Sequence, residues 1–67
     1  MEINKYVIQS CMAKQKLTTK DLAEKCSMRP QNLSNILSRK TCKPATVGRI
    51  AEALGVDVTE ILAKEGD

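Results

Sequence analysis

Residues Thr18–Ser38, TTKDLAEKCSMRPQNLSNILS, decide the fold. The stretch predicts two short amphipathic helices joined by a tight turn. Leu22 and Ala23 give the first helix an apolar face that Cys26 closes. Leu33, Ile36 and Leu37, spaced three and four apart, give the second its own. At about 100° per residue, Gln31 and Asn35 fall nearly opposite that apolar stripe, flanked by Ser34 and Ser38, with Asn32 at the edge. A solvated helix usually carries Glu and Lys on its outer face. Here the face is uncharged amide and hydroxyl, the chemistry that reads base edges.

Charge is placed to match. The 67 residues carry a net charge of +3. Residues 25–51 hold Lys25, Arg29, Arg39, Lys40, Lys43 and Arg49 without a single acid, so this block alone is +6. It contains the amide-faced helix and the loop after it. A phosphate backbone is the expected partner of so polarised a pattern. Gln31, Asn32 and Asn35 are therefore the candidate base readers, since Asn and Gln can pair bidentately with adenine N6 and N7. Arg29 could reach a guanine or a phosphate. Arg39, Lys40, Thr41 and Lys43 in the following loop, together with Ser34, are candidate phosphate contacts, which fix register without reading sequence.

Upstream, helix 1 is expected over about Ile3 to Gln15, with Ile8, Cys11 and Met12 buried and Val7 and Ile3 extending the stripe. Tyr6, the only aromatic residue, either caps the core or meets a partner. Thr18 is the expected N-cap of helix 2, with Asp21 three residues on making an approximate capping box. Thr19 and Lys20 then sit in the first turn, where free N–H groups and the positive dipole end suit a phosphate. Pro30 fits the first position of helix 3, where its missing N–H costs nothing, and it pushes Arg29 out of the α region. Helix 4 is expected over about Ala45 to Leu54 with Gly55 as its left-handed stop. Gly48 within it suggests a close helix crossing. Helix 5 starts at Asp57, with Val58, Ile61 and Leu62 inward, and residues 64–67 read as a short frayed tail.

The stretch Asp21–Leu62 resembles the Cro/C1-type (XRE) helix-turn-helix regulators. The likeness rests on Leu22-Ala23, the pair Leu33 and Ile36, and the RIAEALGV run from Arg49 to Val56. It implies an all-α, five-helix bundle of the lambda-repressor-like type, with helices 2 and 3 forming a motif over about 19–38. It also implies a sequence-specific regulator, most simply a repressor, binding a pseudo-palindromic operator as a homodimer with helix 3 in the major groove. Four departures stand out. Ser27 occupies the turn position that is usually Gly. Met12 and Leu37 replace a common buried ion pair, an exchange that can be neutral or stabilising. Pro30 replaces the first base-reading residue, and Ser38-Arg39 replaces an Asn-Gly helix stop.

Composition sets the remaining bounds. At 42% hydrophobic and 28% charged, the chain is expected to be a single globular domain, residues 1–67, small enough to gain from a dimer interface. No apolar run reaches the ~20 residues of a membrane span, and MEINKYVIQ lacks the order of a signal peptide, so a cytoplasmic protein of a bacterium or phage-infected cell is expected. Three cysteines, no C-x-x-C and no His point away from metal and haem sites and toward a reducing compartment. No cofactor is expected. Cys42, between Lys40 and Lys43, is expected to have a lowered pKa. No nucleophile–base constellation suggests an enzyme. The alternative reading is a protein-interaction module or antitoxin-like adaptor of the same fold, acting through a partner protein.

Overall fold

Side-chain caps begin three of the five helices and prolines begin the other two. In the computed structural model, which describes residues 1–63, α1 runs Lys5–Gln15, α2 Thr19–Lys25, α3 Pro30–Arg39, α4 Pro44–Leu54 and α5 Val58–Ile61. Asn4 caps α1 by accepting from the N–H groups of Tyr6 and Val7 at 3.0 and 3.2 Å. Thr18 and Asp21 form a reciprocal capping box on α2, as Asp57 and Glu60 do on α5. Both α3 and α4 have Pro in the first position, where no intrahelical N–H bond is lost. The four-residue tail assigned to residues 64–67 lies outside the described residues.

The first four helices all stop at a residue in the left-handed region: Lys16 (φ 56°), Ser27 (58°), Lys40 (60°) and Gly55 (72°). After α1, α2 and α4 two N–H groups fold back on the last turn, as in Met28 N–H to the Ala23 carbonyl and Ser27 N–H to that of Glu24, at 2.9 and 3.1 Å. These are Schellman closures, which satisfy otherwise orphaned carbonyls. Only one of the four stops is glycine, so three carry the Cβ penalty of left-handed backbone.

Helix 1 starts later than its apolar stripe suggests. Ile3 lies outside α1, in extended backbone paired antiparallel with Leu62, while Glu2 pairs with Thr41. The N-terminal segment is thus gripped between the α3–α4 loop and the end of α5. Ile3 is still buried, at 2% exposure, so its apolar character was a core signal but not a helical one. Tyr6 does not cap the core; it is 74% exposed. Gly48 serves no close crossing among the described residues, where a Cβ built on it meets nothing within 4 Å.

The helices close on one apolar core. Ile8, Leu22, Leu33, Val47, Ile50 and Ile61 are fully enclosed, each worth ~1.5–3 kcal/mol of burial. Ala23 is fully buried in α2, the helix that packs directly on α3. Met12 and Leu37 both enter the core, so the positions of the absent ion pair are filled with apolar bulk. Ile36 is only half-buried, packed on the core's edge, and Leu37 is the more deeply buried of the two. No polar side chain is buried among the described residues. No described helix is long and apolar enough to cross a membrane.

Candidate nucleic-acid interface

The outer face of α3 is held by its inner one. Burial of Leu33 and Leu37 fixes the helix's rotation, and Pro30 makes its first turn rigid. Gln31, Asn32, Ser34, Asn35 and Ser38 are left exposed as expected. Gln31 Nε2 donates to Asn35 Oδ1 at 3.2 Å across one helical turn. That bond leaves Gln31 one N–H and its carbonyl, and leaves Asn35 both N–H groups, for another partner. Two flexible side chains are thereby aligned before anything is bound. Arg29 is exposed at the N-cap of the same helix, and its side chain caps nothing.

Toward its C-terminal end the amide face meets the basic loop. Asn32, Asn35, Ile36, Arg39, Thr41, Cys42, Lys43 and Thr46 line a cleft of about 460 Å³. Two candidate base readers and three candidate phosphate contacts therefore share one concavity. Thr46 and Ile36 belong to it as well, although Ile36 read in the sequence only as part of the apolar stripe and Thr46 was not singled out. Pro44 was the available signal for Thr46, since a helix starting there puts Thr46 in its first turn, beside unpaired N–H groups. Lys40 is exposed but lies outside the lining, and Gln31, Ser34, Arg29, Thr19 and Lys20 lie outside it too. The larger depression, about 530 Å³ between α2 and α4, includes Lys25, Ser27, Arg49 and Glu52 and none of the candidate site residues.

Two side chains have chemistry different from that expected. Thr41 donates its hydroxyl proton to the Met1 carbonyl at 3.0 Å. Having a single proton, it can donate to a phosphate only by leaving that contact. Cys42 is half-buried, and this burial pushes its thiol pKa up, against the lowering expected from flanking lysines. Desolvation of the thiolate outweighs the nearby positive charge. At the start of α2, Thr19 is half-buried and Lys20 exposed. Asp21 sits over the Thr18 N–H at 3.0 Å, and that backbone bond, then the Thr18 hydroxyl, holds its carboxyl below the usual range. An anionic cap therefore stands beside the N–H groups offered to a phosphate.

The sequence profile of the helix-turn-helix family matches residues 8–61, most of the chain. No curated protein gives a significant match. Among solved structures, the Y98F mutant of hydroxyethylphosphonate dioxygenase superposes with a TM-score of 0.83 at 24% identity. PhpD with cadmium atoms gives 0.82, also at 24% identity. Each match covers 100% of this chain but 15% of the other, so the chain spans about 15% of the length of either protein. At that identity the likeness is one of fold. The family profile, the five-helix order and the arrangement of α2 and α3 lead to one assignment. The chain belongs to the Cro/C1-type (XRE) helix-turn-helix family of DNA-binding regulators.

Proposed function

We propose that the protein is a transcriptional repressor that occupies a pseudo-palindromic operator as a homodimer in the cytoplasm. The two α3 helices enter successive major grooves about 34 Å apart on one side of the duplex. Gln31, Asn32 and Asn35 read base edges, with Arg29 at the helix start. Arg39, Lys40 and Lys43, with Ser34 and the Thr19–Lys20 turn, hold phosphates. The observation that carries this reading is the hydrogen-bonded Gln31–Asn35 pair, exposed on α3 and continuous with a basic-rimmed cleft. Repression follows by steric exclusion from promoter DNA.

A second reading, a module that binds another protein, draws on the same fold making up 15% of a dioxygenase chain. The acid-free block over residues 25–51 disfavours it. Selection of binding sites from a random duplex library, followed by fluorescence anisotropy at several salt concentrations, separates the two. The regulator reading expects an inverted-repeat consensus, a stoichiometry of two chains per site and steep salt dependence. Absence of enrichment, with no binding at low salt, defeats it and favours the protein-binding module.

A further inference from the structure

The segment Met1–Asn4 lies outside every helix, yet it holds the loop that follows α3. On one side, Ile3 N–H donates to the Lys40 carbonyl at 2.9 Å, and Cys42 N–H donates to the Met1 carbonyl at 3.0 Å. The Thr41 hydroxyl donates to that same Met1 oxygen. On the other side, Asn4 N–H donates to the Ile61 carbonyl at 2.7 Å, and Ala63 N–H donates to that of Glu2 at 3.1 Å. Ile3, 2% exposed, pins the segment to the core. The backbone it grips is a strained one, because Lys40 holds φ 60° without being glycine. Such a conformation persists only where its surroundings over-determine it. Here the Lys40 N–H donates to the Ile36 carbonyl at 2.8 Å, and the Lys40 carbonyl accepts from the Ile3 N–H.

We propose that Ile3 is a positioning residue for DNA binding: its buried side chain anchors a backbone clasp that presets the loop carrying Lys40 and Lys43 against the phosphates. This rests on the DNA-binding reading above. A preset loop spares the complex the entropy of ordering it, whereas a released loop must be ordered on binding. Phosphates carry no sequence, so release weakens selected and scrambled duplexes alike and leaves their affinity ratio unchanged.

The test compares wild type, Ile3→Ala, Ile3→Val, Leu54→Ala, Thr41→Val, Lys43→Ala and the Thr41→Val/Lys43→Ala double variant at a temperature where circular dichroism shows each folded. Affinities for a selected and a scrambled duplex are measured across salt, beside amide exchange at Cys42. Because the released loop must be ordered on binding, Ile3→Ala is expected to bind both duplexes roughly three- to tenfold more weakly, with the salt slope unchanged because the same phosphates are contacted in the complex. Cys42 N–H exchange accelerates in the same variant. Ile3→Val restores both affinity and exchange. Leu54→Ala, buried but outside the clasp, keeps wild-type affinity. Wild-type affinity in an Ile3→Ala protein whose Cys42 amide exchanges freely overturns the proposal, as does an equal loss in Leu54→Ala. If Ile3→Ala does not fold, Thr41→Val decides. Faster Cys42 exchange, with a loss less than additive to that of Lys43→Ala, supports positioning. An additive loss with unchanged exchange makes the hydroxyl a phosphate contact and overturns it. Failure of the wild type to bind any duplex, seen before any variant is made, rejects the DNA reading itself.

Discussion

Replacing Ser27 with glycine should stabilise the protein, and the size of the effect follows from the turn between α2 and α3. Ser27 sits at φ 58°, where a side chain with a Cβ pays ~1–2 kcal/mol over its right-handed alternative. Glycine removes that cost but brings a more flexible unfolded chain, which takes back ~0.4–1 kcal/mol. The net expectation is ~0.5–1 kcal/mol in favour of Ser27→Gly. For a domain of this size that corresponds to a rise in Tm of roughly 2–8 °C. The Schellman bonds from Ser27 and Met28 are made by backbone N–H groups, so they survive the change. Urea unfolding followed by circular dichroism, with Ser27→Ala as reference, measures the effect. The slope with denaturant should stay constant while the midpoint rises, because the surface exposed on unfolding is unchanged. Ser27→Gly no more stable than Ser27→Ala would refute the reasoning, since Ala keeps the Cβ that is held to be the source of the strain.

Other expectations concern the interface and the caps. Asn35→Ala and Gln31→Ala should each cost ~1–3 kcal/mol on a selected operator and leave scrambled-duplex binding nearly intact. Because one amide donates to the other, the double variant should lose less than the sum of the two in anisotropy titrations. Lys43→Ala should weaken both duplexes and lower the salt slope by about one unit. Equal behaviour of Lys43→Ala and Asn35→Ala would mean that reading and phosphate faces are misassigned. In acid, the caps give a signed prediction. Asp21 is held low by the Thr18 backbone and hydroxyl, and Asp57 by the Thr59 hydroxyl and then its backbone N–H. Depressed carboxyls contribute stability at neutral pH that disappears as pH falls through their folded values. Tm should therefore drop between about pH 5 and pH 2, less steeply in Asp21→Asn/Asp57→Asn. An identical acid limb in that variant would place the titrating groups elsewhere.

What the sequence made legible was local. Thr18 with Asp21, Pro30, Gly55 and Asp57 each announce a helix boundary through chemistry confined to a few neighbours, and each boundary is where it was expected. The exposed amide face followed from the three-four spacing of Leu33, Ile36 and Leu37. The misread features depend on distant partners. Ile3 continues an apolar periodicity that fits a helix, and only pairing with Leu62, 59 positions away, shows it as extended. Asn4 held the missed clue, being a strong N-cap residue one position later. Cys42 looked electrostatically activated because its lysines are adjacent in sequence, whereas the burial that governs its thiol comes from tertiary packing. Lys16 and Lys40 carry no hint of left-handed backbone, because the fold imposes a conformation that their residue type does not favour.

An interior without a buried polar side chain among the described residues bears on how the protein responds to its ionic surroundings. Dissolved ions have little to screen in such a core, and at moderate concentration they should leave folding nearly unaffected. They act instead on the cationic exterior, where each phosphate contact is released in exchange for counterions. Occupancy of DNA and integrity of the chain thus answer to different variables. A rise in salt, as under osmotic stress, would lift the protein from its site while leaving it folded and ready to rebind on dilution. Ionic strength then acts as a reversible control on DNA occupancy, without protein turnover.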